Sequence, residues 1–181
     1  MEENIVVLDF GSQYTQLIAR RVREAKVFSK VLPFNAPLEK ILAENPAGII
    51  LSGSPANVYA KDSPIPDKRL LLCGVPILGI CYGMQVTAHL FGGRVHKSHK
   101  REYGFSELHI DKRQSPLFKG LPKHLTCWMS HGDKLERLPG GFERLAHTEN
   151  APFAAMGDAK RKIYCIQFHA EVAHTPLGSK I

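Results

Sequence analysis

The sequence predicts an α/β fold: a mainly parallel sheet flanked by helices, with an antiparallel extension in the C-terminal half. Up to about residue 91, short apolar runs alternate with amphipathic helical segments, the pattern of parallel strands joined by helical crossovers. After Gly92-Gly93 helical periodicity nearly vanishes and strand-like runs joined by turns take over. The chain has 181 residues, 44% apolar and 23% charged, enough for one full core and too little for two ordinary ones. A single domain over residues 1–181 is expected.

Residues 5–8 (IVVL) are a fully apolar run closed by Asp9-Phe10-Gly11-Ser12, a buried strand ending in a glycine turn. Tyr14, Leu17, Ile18, Val22 and Ala25 then fall at helical spacing with Arg20, Arg21 and Arg23 largely off the stripe, so residues 13–24 form an amphipathic helix. Residues 27–34 make a second strand, 37–44 a short helix opened by proline, and 47–51 a third strand ending at Ser52-Gly53-Ser54-Pro55. A Ser-, Pro- and Asp-containing loop leads to a helix near 67–73, a strand at 75–80 and a helix at 82–91. Crossovers between such strands are right-handed. The later strand-like runs are 94–96, 105–110, 126–129, 143–147, 153–156 and 162–168.

Gly79-Ile80-Cys81-Tyr82-Gly83 follows the fourth apolar run directly. It places a thiol on a sharp strand-to-helix turn, as in a nucleophile elbow with sulfur for oxygen, and at a helix N-terminus whose dipole favours thiolate. A buried, inert cysteine is the alternative. A thiolate nucleophile needs a base and a group that orients the base. His169-Ala170-Glu171 lies at the end of the last apolar run, and in extended chain its two polar side chains point the same way. A surface His–Glu pair is the plain alternative.

Composition narrows the classes. Net charge is +7, but the basic residues are spread over 20–23, 96–101 and 160–162 without interleaved aromatics, which excludes a nucleic-acid surface as the first reading. Met1-Glu2-Glu3-Asn4 is acidic where a signal peptide would be basic, and no apolar stretch approaches membrane-spanning length. A cytoplasmic protein is expected. Cys73, Cys81, Cys127 and Cys165 form no C-x-x-C pair, and the His96/His99 spacing lacks carboxylate partners, so reduced thiols and no structural metal are expected.

Cys81-Tyr82-Gly83-Met84-Gln85 with Phe168-His169-Ala170-Glu171-Val172 resembles the class I glutamine amidotransferase family, over essentially the whole chain. The strings at residues 9–16 (DFGSQYTQ), 101–104 (REYG), 128–133 (WMSHGD) and 171–175 (EVAHT) resemble the branch that supplies ammonia for amination of xanthosine monophosphate to GMP. The resemblance implies a flavodoxin-like sheet and a Cys81–His169–Glu171 triad that hydrolyses glutamine through a γ-glutamyl thioester. It implies an oxyanion hole from the backbone at Tyr82 and the Gly53–Ser54 turn, and glutamine held by Gln85, Ser130, Gly132 and Asp133. On the residues alone, Gln85 reads equally as a helix-surface residue, His131 as a turn residue and Trp128 as a core strand aromatic.

The implied partner is an ATP-dependent synthetase domain or subunit, from which this chain is excised or with which it associates. No cofactor is expected in this domain itself, ATP and Mg belonging to the partner. Another biosynthetic synthase, or a catalytically impaired binding domain of the same fold, are the alternatives. Two positions depart from the family pattern. Ser54 stands where a second glycine is usual; a positive φ there would cost a serine about 1–2 kcal/mol. Ala170 stands where proline is usual, giving up about 0.4–1 kcal/mol of preorganisation.

Overall fold

The computed structural model describes residues 3–181, and within them nothing is said of the side chains of 97–101. The acidic start Met1-Glu2, the second histidine of the His96/His99 spacing and most of the basic run 96–101 therefore lie outside the described residues. Among the described residues, nine strands form one sheet in the order β2-β1-β3-β4-β9-β8-β7-β5-β6. The strands are β1 (Asn4–Asp9), β2 (Phe28–Pro33), β3 (Gly48–Leu51), β4 (Ile77–Ile80), β5 (Arg94–Ile110), β6 (His124–Arg137), β7 (Glu143–His147), β8 (Ala155–Asp158) and β9 (Ile163–Ile166). The helices are α1 (Thr15–Glu24), α2 (Leu38–Ala43) and α3 (Tyr82–Leu90). β2, β1, β3, β4 and β9 pair in parallel; from β9 through β8, β7, β5 and β6 the pairing is antiparallel. The sequence-based fold class holds.

β1 reads as a continuous apolar run because both its faces are covered. Val6 and Leu8 join one buried cluster with Ile49, Leu51, Met84 and Tyr82. Val7 joins the other, with Ile18, Ile80 and Phe168. Parallel strands sandwiched in this way need no polar alternation. The C-terminal ends of β1, β3, β4 and β9 share one edge of the sheet, because all four run the same way. The turns that follow them, at Ser12, Gly53, Cys81 and His169, emerge at that edge, where ligands bind in open α/β sheets.

Several element boundaries differ from expectation. The two runs 94–96 and 105–110 are parts of one strand, β5, and the run 126–129 is the middle of the longer β6. One face of the β5–β6 ribbon is open and carries the exposed aromatics Tyr103 and Phe105, while Leu108, Ile110, Leu125, Cys127 and Met129 point the other way into the core. The segment near 67–73 is a 3-10 turn, Lys68–Leu72, capped by the Asp67 carboxylate accepting from the Arg69 N–H at 2.9 Å, rather than an α-helix. β8 begins at Ala155, two residues later than the predicted 153, and β9 ends at Ile166, so Gln167–His169 is a bend beyond the strand. No helix among the described residues is long and apolar enough to cross a membrane.

The seat of α3 on the sheet is set by two glycines. A Cβ on Gly83 would stand 2.5 Å from the Leu51 carbonyl oxygen, and one on Gly79 2.8 Å from the Gly83 carbonyl carbon and oxygen. Neither glycine has a positive φ; what they supply is the absence of a side chain. Replacing Gly83 by alanine should push α3 off β3 at an overpacking cost of about 1–3 kcal/mol. Thermal unfolding of Gly83→Ala should show a Tm lower by several degrees, and an unchanged Tm would contradict this seating.

Candidate active site

Cys81 sits between β4 and α3 with φ 54° and ψ −104°, a conformation that is strained for a residue with a Cβ. Its N–H donates to the Ile166 carbonyl at 2.8 Å, which ties the elbow to the end of β9. Its Sγ lies 3.6 Å from Gln167 Nε2 and 3.9 Å from the Ser130 carbonyl oxygen. The elbow geometry read from the glycine-flanked cysteine is present.

Past β9 the chain bends, and three hydrogen bonds fix where His169 goes. Its N–H donates to the Trp128 carbonyl at 3.0 Å, and its own carbonyl accepts from Thr175 Oγ1 at 2.6 Å. Thr175 Oγ1 in turn accepts from the Trp128 N–H at 3.0 Å. The ring stands beside Cys81 at the Gly53 turn and, through Nδ1, lies 2.7 Å from Glu171 Oε1 on the other side. The edge of Tyr14 approaches it at 5.0 Å between centroids. Cys81, His169 and Glu171 are only 6%, 4% and 4% exposed, so the pair is not a surface His–Glu contact. Arg21 Nε on α1 donates to the Glu171 carbonyl at 2.8 Å, and Glu171 Oε2 is buried without a hydrogen-bond partner among the described residues.

Burial works to lower the His169 pKa, but hydrogen bonds to Cys81 and Glu171 and the charges of both outweigh it and push it up to about 10. The imidazolium is thus favoured in this position.

The other predicted site residues converge on the same place. A cavity of about 690 Å³ is lined by Cys81, His169, Gly53, Ser54, Gln85, Ser130, Gly132 and Asp133. A Cβ on Gly53 would stand 3.6 Å from His169 Cε1 and 3.7 Å from Cys81 Cβ, so glycine keeps the space above the sulfur open. Ser52 Oγ accepts from the Phe10 N–H at 3.0 Å and donates to the Gly53 carbonyl at 3.1 Å, anchoring this turn to β1. Ser54 has no positive φ, so the strain that would penalise a serine is not incurred; its Oγ accepts from the Ala56 N–H at 3.2 Å. Tyr82 opens α3, which leaves its N–H without an intrahelical acceptor. Its hydroxyl is remote from this role, donating to the Pro64 carbonyl at 3.1 Å, with burial pushing its pKa up to about 12.

Two plain readings are overturned, and a third holds for its strand but not for full burial. Gln85 is buried, not on the helix surface, and its Nε2 donates to the Asp133 carbonyl at 3.1 Å and to Gln167 Oε1 at 3.4 Å. His131 lies within β6, not in a turn, and is buried against Glu102. Trp128 is half-buried on β6 beneath His174 and Phe105, at 4.5 and 5.2 Å between ring centroids. Sequence reasoning missed Asn57, whose Nδ2 donates to Asp133 Oδ2 at 2.6 Å; an asparagine in a polar loop carries no signal. It also gave no role to Gln167, although its place beside the histidine was on view. Glu107, His109 and His124 gather on the outer face of β5 and β6 with ligand atoms within 4.8 Å of one another; none of them lines the cavity.

Residues 6–181 match the family model of class-I glutamine amidotransferases. The chain belongs to that family. It is 55% identical over 178 residues to the glutamine-hydrolysing GMP synthase of Campylobacter lari and 53% identical over 177 residues to that of Aquifex aeolicus, each match covering 98% of this chain. The chain spans only 35% and 34% of those two relatives' length. Among solved structures, a protein assigned as a GMP synthase subunit in Thermoplasma acidophilum superposes with a TM-score of 0.85 at 30% identity, covering 99% of this chain and 90% of that one. A glutamine amidotransferase of Thermotoga maritima, at 20% identity and a TM-score of 0.73 over 95% of this chain and 77% of that one, shares the fold.

The His169 environment makes a prediction with a definite sign. Nitrogen NMR of the imidazole should show it doubly protonated well above neutrality, with a midpoint near pH 10, and Glu171→Gln should lower that midpoint. Because the folded-state value is raised, its stabilisation is complete below the unfolded value of about 6.5 and is lost as pH rises from there through the folded value. The stability gap between wild type and Glu171→Gln should therefore be widest just below the unfolded value of about 6.5 and close towards pH 10. A wild-type midpoint near 6.5 would contradict the arrangement.

Proposed function

We propose that this chain is a glutaminase that works through Cys81, His169 and Glu171, and that the ammonia it releases aminates xanthosine monophosphate to GMP in an ATP-dependent synthetase region. The observation that carries the reading is a cysteine on a strained elbow facing an imidazole whose far nitrogen is held 2.7 Å from a buried carboxylate. Membership of the amidotransferase family and the names of the relatives support the substrate and the ammonia acceptor.

In this mechanism Cys81 Sγ, as thiolate, attacks the side-chain amide carbon of glutamine. The oxygen takes up the charge, stabilised by the N–H groups of Tyr82 and of the Gly53–Ser54 turn. His169 gives its proton to the amide nitrogen as the C–N bond breaks, ammonia leaves and a γ-glutamyl thioester remains. The imidazole, now neutral, takes a proton from water; hydroxide attack on the thioester releases glutamate and restores the thiolate–imidazolium pair. Glu171 holds Nδ1 throughout, so that Nε2 faces the sulfur. Gln85 and the backbone at Ser130, Gly132 and Asp133 hold the amino-acid end of the substrate.

The triad requires no metal or cofactor, and ATP and Mg are assigned to the synthetase region. The length of the relatives, about three times the matched part, supports such a partner, in the same chain or as a separate polypeptide. Nucleotide activation there and glutamine hydrolysis here are then coupled through the contact between them.

Cys81→Ala should lower glutamine hydrolysis at least a thousandfold while leaving the Tm within a few degrees. A glutamine-like electrophile should label Cys81 alone among Cys73, Cys81, Cys127 and Cys165. Burial pushes both Cys127 and Cys165 up to about 12, which keeps those thiols protonated and slow. Failure of Cys81 to label while another thiol reacts would favour a binding domain without glutaminase chemistry.

A further inference from the structure

Glu102 and His131 form a second buried acid–base pair, with His131 itself in the wall of the cavity, and the chemistry at Cys81 makes no use of it. They face each other in register across β5 and β6, with His131 Nε2 3.2 Å from Glu102 Oε2. The other ring nitrogen, Nδ1, lies 2.9 Å from the Asp133 carbonyl oxygen. A carbonyl only accepts, so Nδ1 carries a hydrogen. The second Glu102 oxygen accepts from Ser106 Oγ at 2.7 Å and from Thr148 Oγ1 at 3.2 Å. Burial pushes the Glu102 carboxyl up, but the hydrogen bonds from His131 and Ser106, with the charge of His131 and the Thr148 bond, hold it below the usual carboxylate range. An oxygen atom therefore stands at each ring nitrogen of His131.

These donors act where the sheet ladder is interrupted. Between β5 and β6 the register jumps from the Lys97–Asp133 pair to the Glu102–His131 pair, leaving Gly132 with no opposite residue among those described. The ladder pairs the residues on both sides of Gly132 but does not hold Gly132 itself. Side chains act there instead: the Asp133 carbonyl receives His131 Nδ1 and Gln85 Nε2, and the Asp133 carboxylate receives Asn57 Nδ2. Ser130, Gly132 and Asp133 all line the cavity that holds Cys81.

We propose that Glu102 and His131 are positioning residues that fix the Gly132–Asp133 backbone in the shape that grips the α-amino and α-carboxylate end of glutamine. The pair sets affinity for the amino-acid end and leaves the reactivity of Cys81 alone. This inference rests on reading the cavity as a glutamine site. It separates two classes of thiol reagent. An amino-acid electrophile shaped like glutamine depends on the grip, whereas a small alkylating agent such as iodoacetamide, which has no α-amino or α-carboxylate group, does not.

The test uses the full protein that carries this chain. His131→Ala should raise KM for glutamine about tenfold, the effect of losing one charge-assisted hydrogen bond, with kcat within about threefold of wild type. Labelling of Cys81 by the glutamine-like electrophile should slow about as much, and labelling by iodoacetamide should not change. Glu102→Gln keeps the size and substitutes a neutral bond for a charged one, so KM should rise about threefold; it carries the test if His131→Ala does not fold. An unchanged KM in whichever variant folds, or a fall in kcat and in iodoacetamide labelling instead, overturns the proposal. A wild-type protein that the glutamine-like reagent does not label would overturn the glutaminase reading itself.

Discussion

The whole site depends on the close approach of α3 to the sheet. With Gly83 against the Leu51 carbonyl and Gly79 against Gly83, the chain has no room to leave β4 gradually, and Cys81 must make the turn in one residue at φ 54°. That single strained residue does three things. It stands the sulfur above the sheet edge, it gives its N–H to the end of β9, and it leaves the first N–H groups of α3 without intrahelical acceptors. The strain is offset by the packing of Tyr82, Met84 and Val86, all buried beneath the helix.

Around this fixed point the fold supplies partners by direction rather than by sequence proximity. β1, β3, β4 and β9 end at one edge, so turns separated by tens of residues meet there. The histidine segment is the least regular of them, and it is held from the antiparallel half of the sheet. Trp128 on β6 and Thr175 bind its backbone on both sides. The antiparallel extension is thus what turns a parallel-sheet edge into an enclosed pocket, since it supplies Ser130, Gly132 and Asp133 as one wall.

Much of this was legible in the sequence. Buried parallel strands announce themselves as apolar runs, and the glycine-flanked cysteine and the His-x-Glu pair are local patterns whose geometry follows from the chain. The extents of β5 and β6 were not legible, because their inward positions include the polar residues Glu102 and His131, which hide the alternation in the sequence. The reason for Gly79 and Gly83 was also hidden, since close approach of two backbones leaves no mark distinguishable from a turn. Glu102 and His131 look unrelated in sequence and meet as the last pair of the regular β5–β6 register that begins at His109 and His124. Gln85 reads as a surface residue until β6 is laid over it. The Ser54 strain was posed as a condition on φ that the turn does not meet.

The central claim is that the sulfur of Cys81 becomes covalently bound to the γ-carbonyl of glutamine. Acid-quenched intact-mass and peptide analysis during turnover should find one glutamyl group added to the peptide bearing Cys81, and none in Cys81→Ala. Steady hydrolysis of glutamine without any adduct on that peptide, or with the adduct on another cysteine, would contradict the account.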